Sequence, residues 1–167
     1  MIFFSLARGE DRTSPTFEEI YERHFTMVYR VCFSYMKNAA DTEDMVADVF
    51  AKLLETGKTF QNAEHEKAWL LRTTINRCKN FLKHWWRNRA NIDDYESLEI
   101  KNPFVENELL QNVSNLPDRY KDVIMLYYYE DCSTAEVAKI LKKPQSTICN
   151  QLREARILLK GELENEI

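Results

Sequence analysis

The stretch Ser133–Lys160, STAEVAKILKKPQSTICNQLREARILLK, decides how the rest of the chain is read. Ser133 is a good helix N-cap and Glu136 stands three residues on, so each can satisfy an orphan backbone N–H in a capping box. Val137, Ala138, Ile140 and Leu141 then supply an apolar face. Pro144 disfavours helical geometry at Lys143 while fitting the first turn of a new helix, so one helix stops there and another starts. In the second helix Ile148, Leu152, Ala155 and Leu159 fall at i, i+4, i+7 and i+11, a single buried stripe at helical period.

Two short helices joined by a tight turn make a helix-turn-helix pattern, and the second helix keeps one face free. Ser146, Asn150 and Arg153 lie opposite the stripe, flanked by Gln145, Thr147, Cys149 and Gln151. Amide, hydroxyl and guanidinium groups are those that pair with base edges in a major groove. From Lys142 to Lys160 five basic residues stand against one acid, Glu154, which points to phosphate as partner. The plainer alternative is a solvated helical hairpin within a bundle.

At 167 residues and 44% hydrophobic, the chain can bury a core as one domain or two small ones. No apolar run approaches the roughly 20 residues that span a bilayer, so no membrane insertion is expected. The N-terminal Ile2–Ala7 lacks a basic lead and is too short for a signal sequence, which reads as a cytoplasmic protein. Cys32, Cys78, Cys132 and Cys149 form no C-x-x-C pair and do not cluster with His24, His65 or His84; no metal or other cofactor is implied. The net charge of −4 is unusual for a nucleic-acid binder, but it is strongly segregated along the chain.

Residues 1–13 show no periodicity and are expected to be mobile. Thr16 and Glu19 make a second capping box, opening a helix with Ile20, His24, Met27, Val28, Val31, Cys32 and Tyr35 on one face and an end near Asn38. The next helix is expected to start at Asp41 or Thr42. Its apolar pairs Met45/Val46, Val49/Phe50 and Leu53/Leu54 recur every four residues, and Gly57 is a good stop. Its other face holds Asp41, Glu43, Asp44 and Asp48. Such a row of acids reads in three ways: a solvated face favoured by the helix dipole, a docking surface for a basic partner, or the carboxylates of a metal nuclease.

A polar loop follows over 57–64, and then a long helix from about His65 to Arg89. It carries Lys67, Arg72, Arg77, Lys79, Lys83, Arg87 and Arg89 with no acid after Glu66. Phe81, Trp85 and Trp86 interleave with these charges, and a basic track with aromatic platforms suits unpaired nucleic acid; Trp69, Leu70 and Leu71 are assigned to the core. Residues 90–106 turn acidic and lose periodicity, reading as a flexible linker. Helices resume near Phe104, break at Leu116-Pro117, and restart with Asp118 as N-cap. Tyr127, Tyr128 and Tyr129 cannot all face one core, so part of this triplet is expected at the surface. There is no internal repeat, no glycine-rich phosphate loop and no nucleophile with a matching base, and nothing here argues for an enzyme.

In this order, an acidic helix, a basic-aromatic helix, an acidic linker and a C-terminal helix-turn-helix give an all-α chain of two small domains that resembles a bacterial sigma factor of the extracytoplasmic-function class. Four stretches carry the likeness: Phe17–Tyr29 (FEEIYERHFTMVY), Asp41–Leu54 (DTEDMVADVFAKLL), Ala68–Asn80 (AWLLRTTINRCKN) and Leu116–Arg156. The resemblance implies that residues 14–89 form region 2, which docks on core RNA polymerase and melts the minus-ten element of promoter DNA. Residues 107–167 would form region 4, which recognises the minus-thirty-five element. It implies polymerase contacts at Glu43, Asp44, Asp48, Val49 and Phe50. Minus-ten contacts would fall to Phe60, Gln61, Asn62, Lys67, Asn76, Arg77, Asn80 and Lys83. Minus-thirty-five contacts would come from Lys143, Gln145, Ser146, Thr147, Cys149, Asn150, Arg153 and Arg156. An anti-sigma factor is a further implied partner.

The chain departs from the family pattern at three places. Lys142 stands where the turn usually carries glycine, so the turn is expected to be strained or longer. Cys149, Asn150 and Gln151 replace a stretch that is commonly basic and hydroxylic, and Asn80 holds a place often taken by aspartate. The competing reading is a helix-turn-helix repressor or activator whose N-terminal domain dimerises or binds an effector; such a protein would bind duplex operator alone, as a symmetric dimer.

Overall fold

The computed structural model describes residues 14–88 and 108–165, so the expected N-terminal segment 1–13 and linker 90–106 lie outside the described residues. Within them the chain forms seven α-helices and one short π-helical stretch, with no strand. Helix α1 spans Phe17–Met36 and opens on the Thr16/Glu19 capping box. It ends where Lys37 turns left-handed (φ 61°) and donates its N–H to the Phe33 carbonyl, one residue short of Asn38.

Helix α2, Ala39–Thr56, begins two residues ahead of Asp41 because Asn38 caps it: the Asn38 side-chain oxygen accepts from the Asp41 N–H at 2.8 Å. Gly57 closes it at φ 55°, a left-handed turn that glycine adopts without steric cost. Helix α3, Ala63–Asn88, also starts early, and the Asn62 side chain accepts from the His65 N–H at 2.8 Å. Asparagine is among the preferred N-caps, so the two displaced starts share one cause.

The C-terminal half runs through α4 (Glu108–Ser114), α5 (Asp118–Ile124), the π stretch Met125–Tyr129, α6 (Thr134–Leu141) and α7 (Gln145–Asn165). Asp118 is the first helical residue rather than the N-cap, a place held by Pro117 without a side-chain bond. The π stretch was not expected. Its signature is the Glu130 N–H bonded to the Met125 carbonyl at 3.1 Å, one residue beyond an α-helical partner, and the widened turn splays the tyrosines. Tyr127 and Tyr129 are half-buried and Tyr128 is half exposed.

Helices α1, α2 and α3 pack on one another, and α7 packs across α5 and α6. Val28, Cys32, Val49, Leu70, Leu71 and Cys78 are sealed inside the first group, and Val113, Val123, Leu126, Val137, Ile148 and Ala155 inside the second. Each buried Val, Leu or Ile contributes about 1.5–3 kcal/mol. The two halves touch through α1 against α4 and α3 against α6. No helix among the described residues is long and apolar enough to cross a membrane.

Candidate nucleic-acid interface

The helix-turn-helix is built as its sequence dictates, with one cost. The Ser133/Glu136 capping box opens α6, and the hydrogen bonds from Ser133 hold the Glu136 carboxyl below its usual range. Lys142 turns left-handed at φ 54°, ψ 49°, and the following N–H of Lys143 bonds back to the Ala138 carbonyl at 3.0 Å. The turn thus keeps its tight geometry and places a lysine in a conformation that costs L residues energy. It is strained rather than lengthened.

On α7 Ile148, Leu152 and Ala155 are buried and Leu159 is half-buried, so the apolar stripe faces the core. Gln145, Ser146, Cys149, Asn150, Arg153 and Arg156 are exposed, while Lys143 and Thr147 are half-buried. Two of these side chains are engaged within the fold. Gln145 donates to the Thr134 hydroxyl at 2.8 Å, tying α7 to α6. Arg156 donates to the Tyr128 hydroxyl and lies over the Tyr127 and Tyr128 rings at 5.9 and 5.5 Å. Ser146, Cys149, Asn150 and Arg153 remain as the outward reading set.

In the N-terminal half the acidic and basic helices meet. Arg77 on α3 holds both oxygens of Asp48 on α2, with Nη2 to Oδ1 at 3.0 Å. The hydrogen bonds that Arg77 donates to the Asp48 carboxylate raise the Arg77 pKa above its ordinary value. Asp41, Asp44, Met45, Asp48, Arg77, Asn80 and Phe81 line a groove of about 480 Å³ between the two helices. Glu43 and Asp44 are exposed. Val49 and Phe50 are not: their exposures are 0% and 3%, and Phe50 meets Tyr21 with ring centres 4.7 Å apart. Both belong to the apolar stripe of α2, which turns away from the acidic face, so in this structure neither presents a surface to a partner.

The loop before α3 is partly spoken for as well. Phe60 is half-buried against His65 and Trp69, each with ring centres 5.7 Å away, and Gln61 and Asn62 are exposed. The Asn62 oxygen caps α3 and leaves its NH₂ group outward. Lys67 does not reach into this loop, because its ammonium donates to the Glu130 carbonyl of the C-terminal half. Asn76 and Asn80 stand exposed one turn apart, with Lys83 exposed beyond them. Phe81 and Trp86 add outward aromatic surface at 39% and 69% exposure. Among the described residues no three His, Cys, Asp or Glu side chains converge as a metal site would require.

The match to known families divides at the same place as the fold. Residues 20–88 match sigma-70 region 2 and residues 106–159 match sigma-70 region 4. The RNA polymerase sigma factor SigV of Bacillus subtilis is 29% identical, over 83% of this chain and 85% of its own length. The ECF RNA polymerase sigma factor SigW of the same organism is 23% identical, covering 89% of each chain. Among solved structures, the sigma factor RpoE bound to the anti-sigma factor NepR, from Bartonella quintana, superposes with a TM-score of 0.75 at 19% identity, covering 89% of this chain and 96% of that one. CnrH in complex with the cytosolic domain of CnrY gives a TM-score of 0.64 at 16% identity, over 90% and 89% of the two chains.

Fold and helix-turn-helix together define a regulatory transcription protein. The chain belongs to the sigma-70 family, in its extracytoplasmic-function class. It acts as a sigma factor, the subunit that binds core RNA polymerase and directs it to promoter DNA. The region 2 match occupies the half that a repressor would have given to dimerisation or an effector.

Proposed function

We propose that region 2, over 14–89, docks on core polymerase through Glu43 and Asp44 and opens the minus-ten element with the loop at Phe60–Asn62 and the side chains of Asn76 and Asn80. Region 4, over 107–167, reads the minus-thirty-five element through Ser146, Cys149, Asn150 and Arg153, with 90–106 as the tether between them. The protein works in the cytoplasm by binding, not by catalysis. The observation that carries this reading is the division of labour on α3 and α7: each presents an exposed amide-bearing face while its opposite face is sealed into a core.

Asn76 and Asn80 can pair with the edge of an unstacked base, and Lys83 and Arg87 extend a phosphate track along the same helix. Unstacking costs a few kcal/mol, which edge-directed amides and a cationic track offset. One solved neighbour is a sigma factor in complex with an anti-sigma factor, and an anti-sigma partner is proposed here on that likeness of fold. The polymerase contact is tested by Asp44→Lys: the folded variant is expected to lose co-purification with core polymerase. Unchanged co-purification removes Asp44 from the interface.

A further inference from the structure

We propose that the cleft between α3 and the C-terminal end of α6 is a binding site for a small ligand carrying a diphosphate group, a role that promoter reading does not require. The cleft holds about 260 Å³, and Arg72, Asn76, Lys79, Lys142 and Lys143 line it with no acidic side chain beside them. Ile75 and Ile140, at 2% and 4% exposure, back it with apolar surface. A concave site lined by one sign of charge focuses its field and concentrates the counter-ion.

Most of that charge is uncompensated. Arg72 donates from Nε to the Ile140 carbonyl at 3.1 Å and from Nη2 to the Lys139 carbonyl at 2.7 Å. These bonds satisfy the end of α6, where a helix is otherwise negative, and pair the guanidinium with no carboxylate. Lys79 is the exception, since its ammonium donates to the buried Asp122. The ammonium groups of Lys142 and Lys143 make no ion pair or hydrogen bond among the described residues. Lys142 adds an independent observation: it holds φ 54° and ψ 49°, a conformation that glycine adopts at little cost, and it lines the cleft. Backbone strain of this kind clusters at ligand clamps.

The donors and the volume select the ligand class. Arg72, Lys142 and Lys143 together exceed what one carboxylate needs. A terminal phosphate carries roughly −1.5 to −2 charge at neutral pH and an adjoining phosphate adds to it, which matches these cations. The guanidinium offers a planar fork to phosphate oxygens and the ammonium groups stand beside it as point charges. Asn76, exposed on α3, adds an amide that can donate to a phosphate oxygen or to a group attached to it. Pockets for drug-sized ligands begin at roughly 300 Å³, so this cleft takes a diphosphate, alone or as the end of a nucleotide, and excludes a duplex.

Isothermal titration of the full-length chain with inorganic pyrophosphate, with guanosine 5′-diphosphate and with orthophosphate tests this without polymerase or DNA. Pyrophosphate is expected to bind saturably, one per chain, and several-fold more tightly than orthophosphate. Lys142→Gly removes the ammonium from a turn that accommodates glycine, and it should weaken pyrophosphate binding several-fold, as should Lys143→Gln. Lys58→Gln, the same loss of charge on an exposed lysine outside the cleft, should leave affinity within about twofold, because diffuse charge contributes little to a specific site. If circular dichroism shows that Lys142→Gly fails to fold, Lys143→Gln and Asn76→Ala carry the same expectation. Guanosine 5′-diphosphate binding more tightly than pyrophosphate assigns the site to a nucleotide, and equal affinity assigns it to the diphosphate alone; both support the proposal. No saturable pyrophosphate binding, orthophosphate bound as tightly, or an equal loss in Lys58→Gln overturns it. The sigma-factor reading is tested separately by run-off transcription with core polymerase: a chain that directs initiation yet binds no pyrophosphate defeats this site alone.

Discussion

Arg77 grips Asp48 with two hydrogen bonds, Nη2 to Oδ1 at 3.0 Å among them, and so ties α3 to α2. The pair is partly exposed, with side-chain exposures of 32% and 46%, so its contribution to stability is at most about 1 kcal/mol. Arg77→Ala is therefore expected to lower the melting temperature only slightly while leaving Asp48 free to move. Thermal unfolding followed by circular dichroism checks it, and a loss of several kcal/mol would mean that the pair is structural.

Glu66 is the opposite case. It is 1% exposed, accepts from Arg23 Nη1 at 2.8 Å, and stands 2.6 Å from His24 Nε2 across the α1–α3 contact. Removing Glu66 leaves the buried His24 ring nitrogen without its partner while the half-exposed Arg23 turns to water, so Glu66→Ala should cost about 1–3 kcal/mol. Urea unfolding measures it; a loss below about 1 kcal/mol would contradict the buried network.

These two interactions show what can be read from sequence and what cannot. The capping boxes at Thr16/Glu19 and Ser133/Glu136, the apolar stripes of α1 and α7 and the stop at Gly57 are local signals, complete within one or two turns, and the structure contains all of them. Asn38 and Asn62 carried a local signal too, since each stands three residues before the amide it caps. Arg77–Asp48 and Asp122–Lys79 join residues 29 and 43 apart, and only the packing of one helix on another sets such pairs. By sequence Val49 and Phe50 fit an apolar stripe, while the family resemblance implies a contact surface for them. Burial decides for the stripe, because an α-helix cannot turn one face both ways.

Lys142 offers a clean test of the turn. Its φ of 54° costs a lysine and costs glycine little, so Lys142→Gly should be neutral or stabilise by up to ~1 kcal/mol. Chemical denaturation resolves the sign. Destabilisation beyond about 1 kcal/mol would mean that the lysine side chain itself holds the turn.

Arg153 and Arg156 lie three residues apart on α7 and should behave differently. Arg153 is exposed and without a hydrogen-bond or ion-pair partner among the described residues, whereas Arg156 is seated on Tyr127 and Tyr128. Arg153→Ala is expected to lose about 1–3 kcal/mol of discrimination at one position of the upstream element. Arg156→Ala should weaken binding evenly across sequences, as loss of a positioning contact does. Competition binding by the holoenzyme over a panel of single-base promoter variants distinguishes them.

The central claim is that region 2 opens the minus-ten element by capturing an unstacked base, and a fluorescent base analogue in the non-template strand reads that step directly. With core polymerase and the wild-type chain, its fluorescence should rise as the base leaves the stack. Asn80→Ala and Gln61→Ala should keep closed-complex binding nearly intact yet suppress the rise, while Lys83→Ala should mainly make closed-complex binding more sensitive to salt. A full fluorescence rise in the Asn80 and Gln61 variants would contradict base capture by this surface.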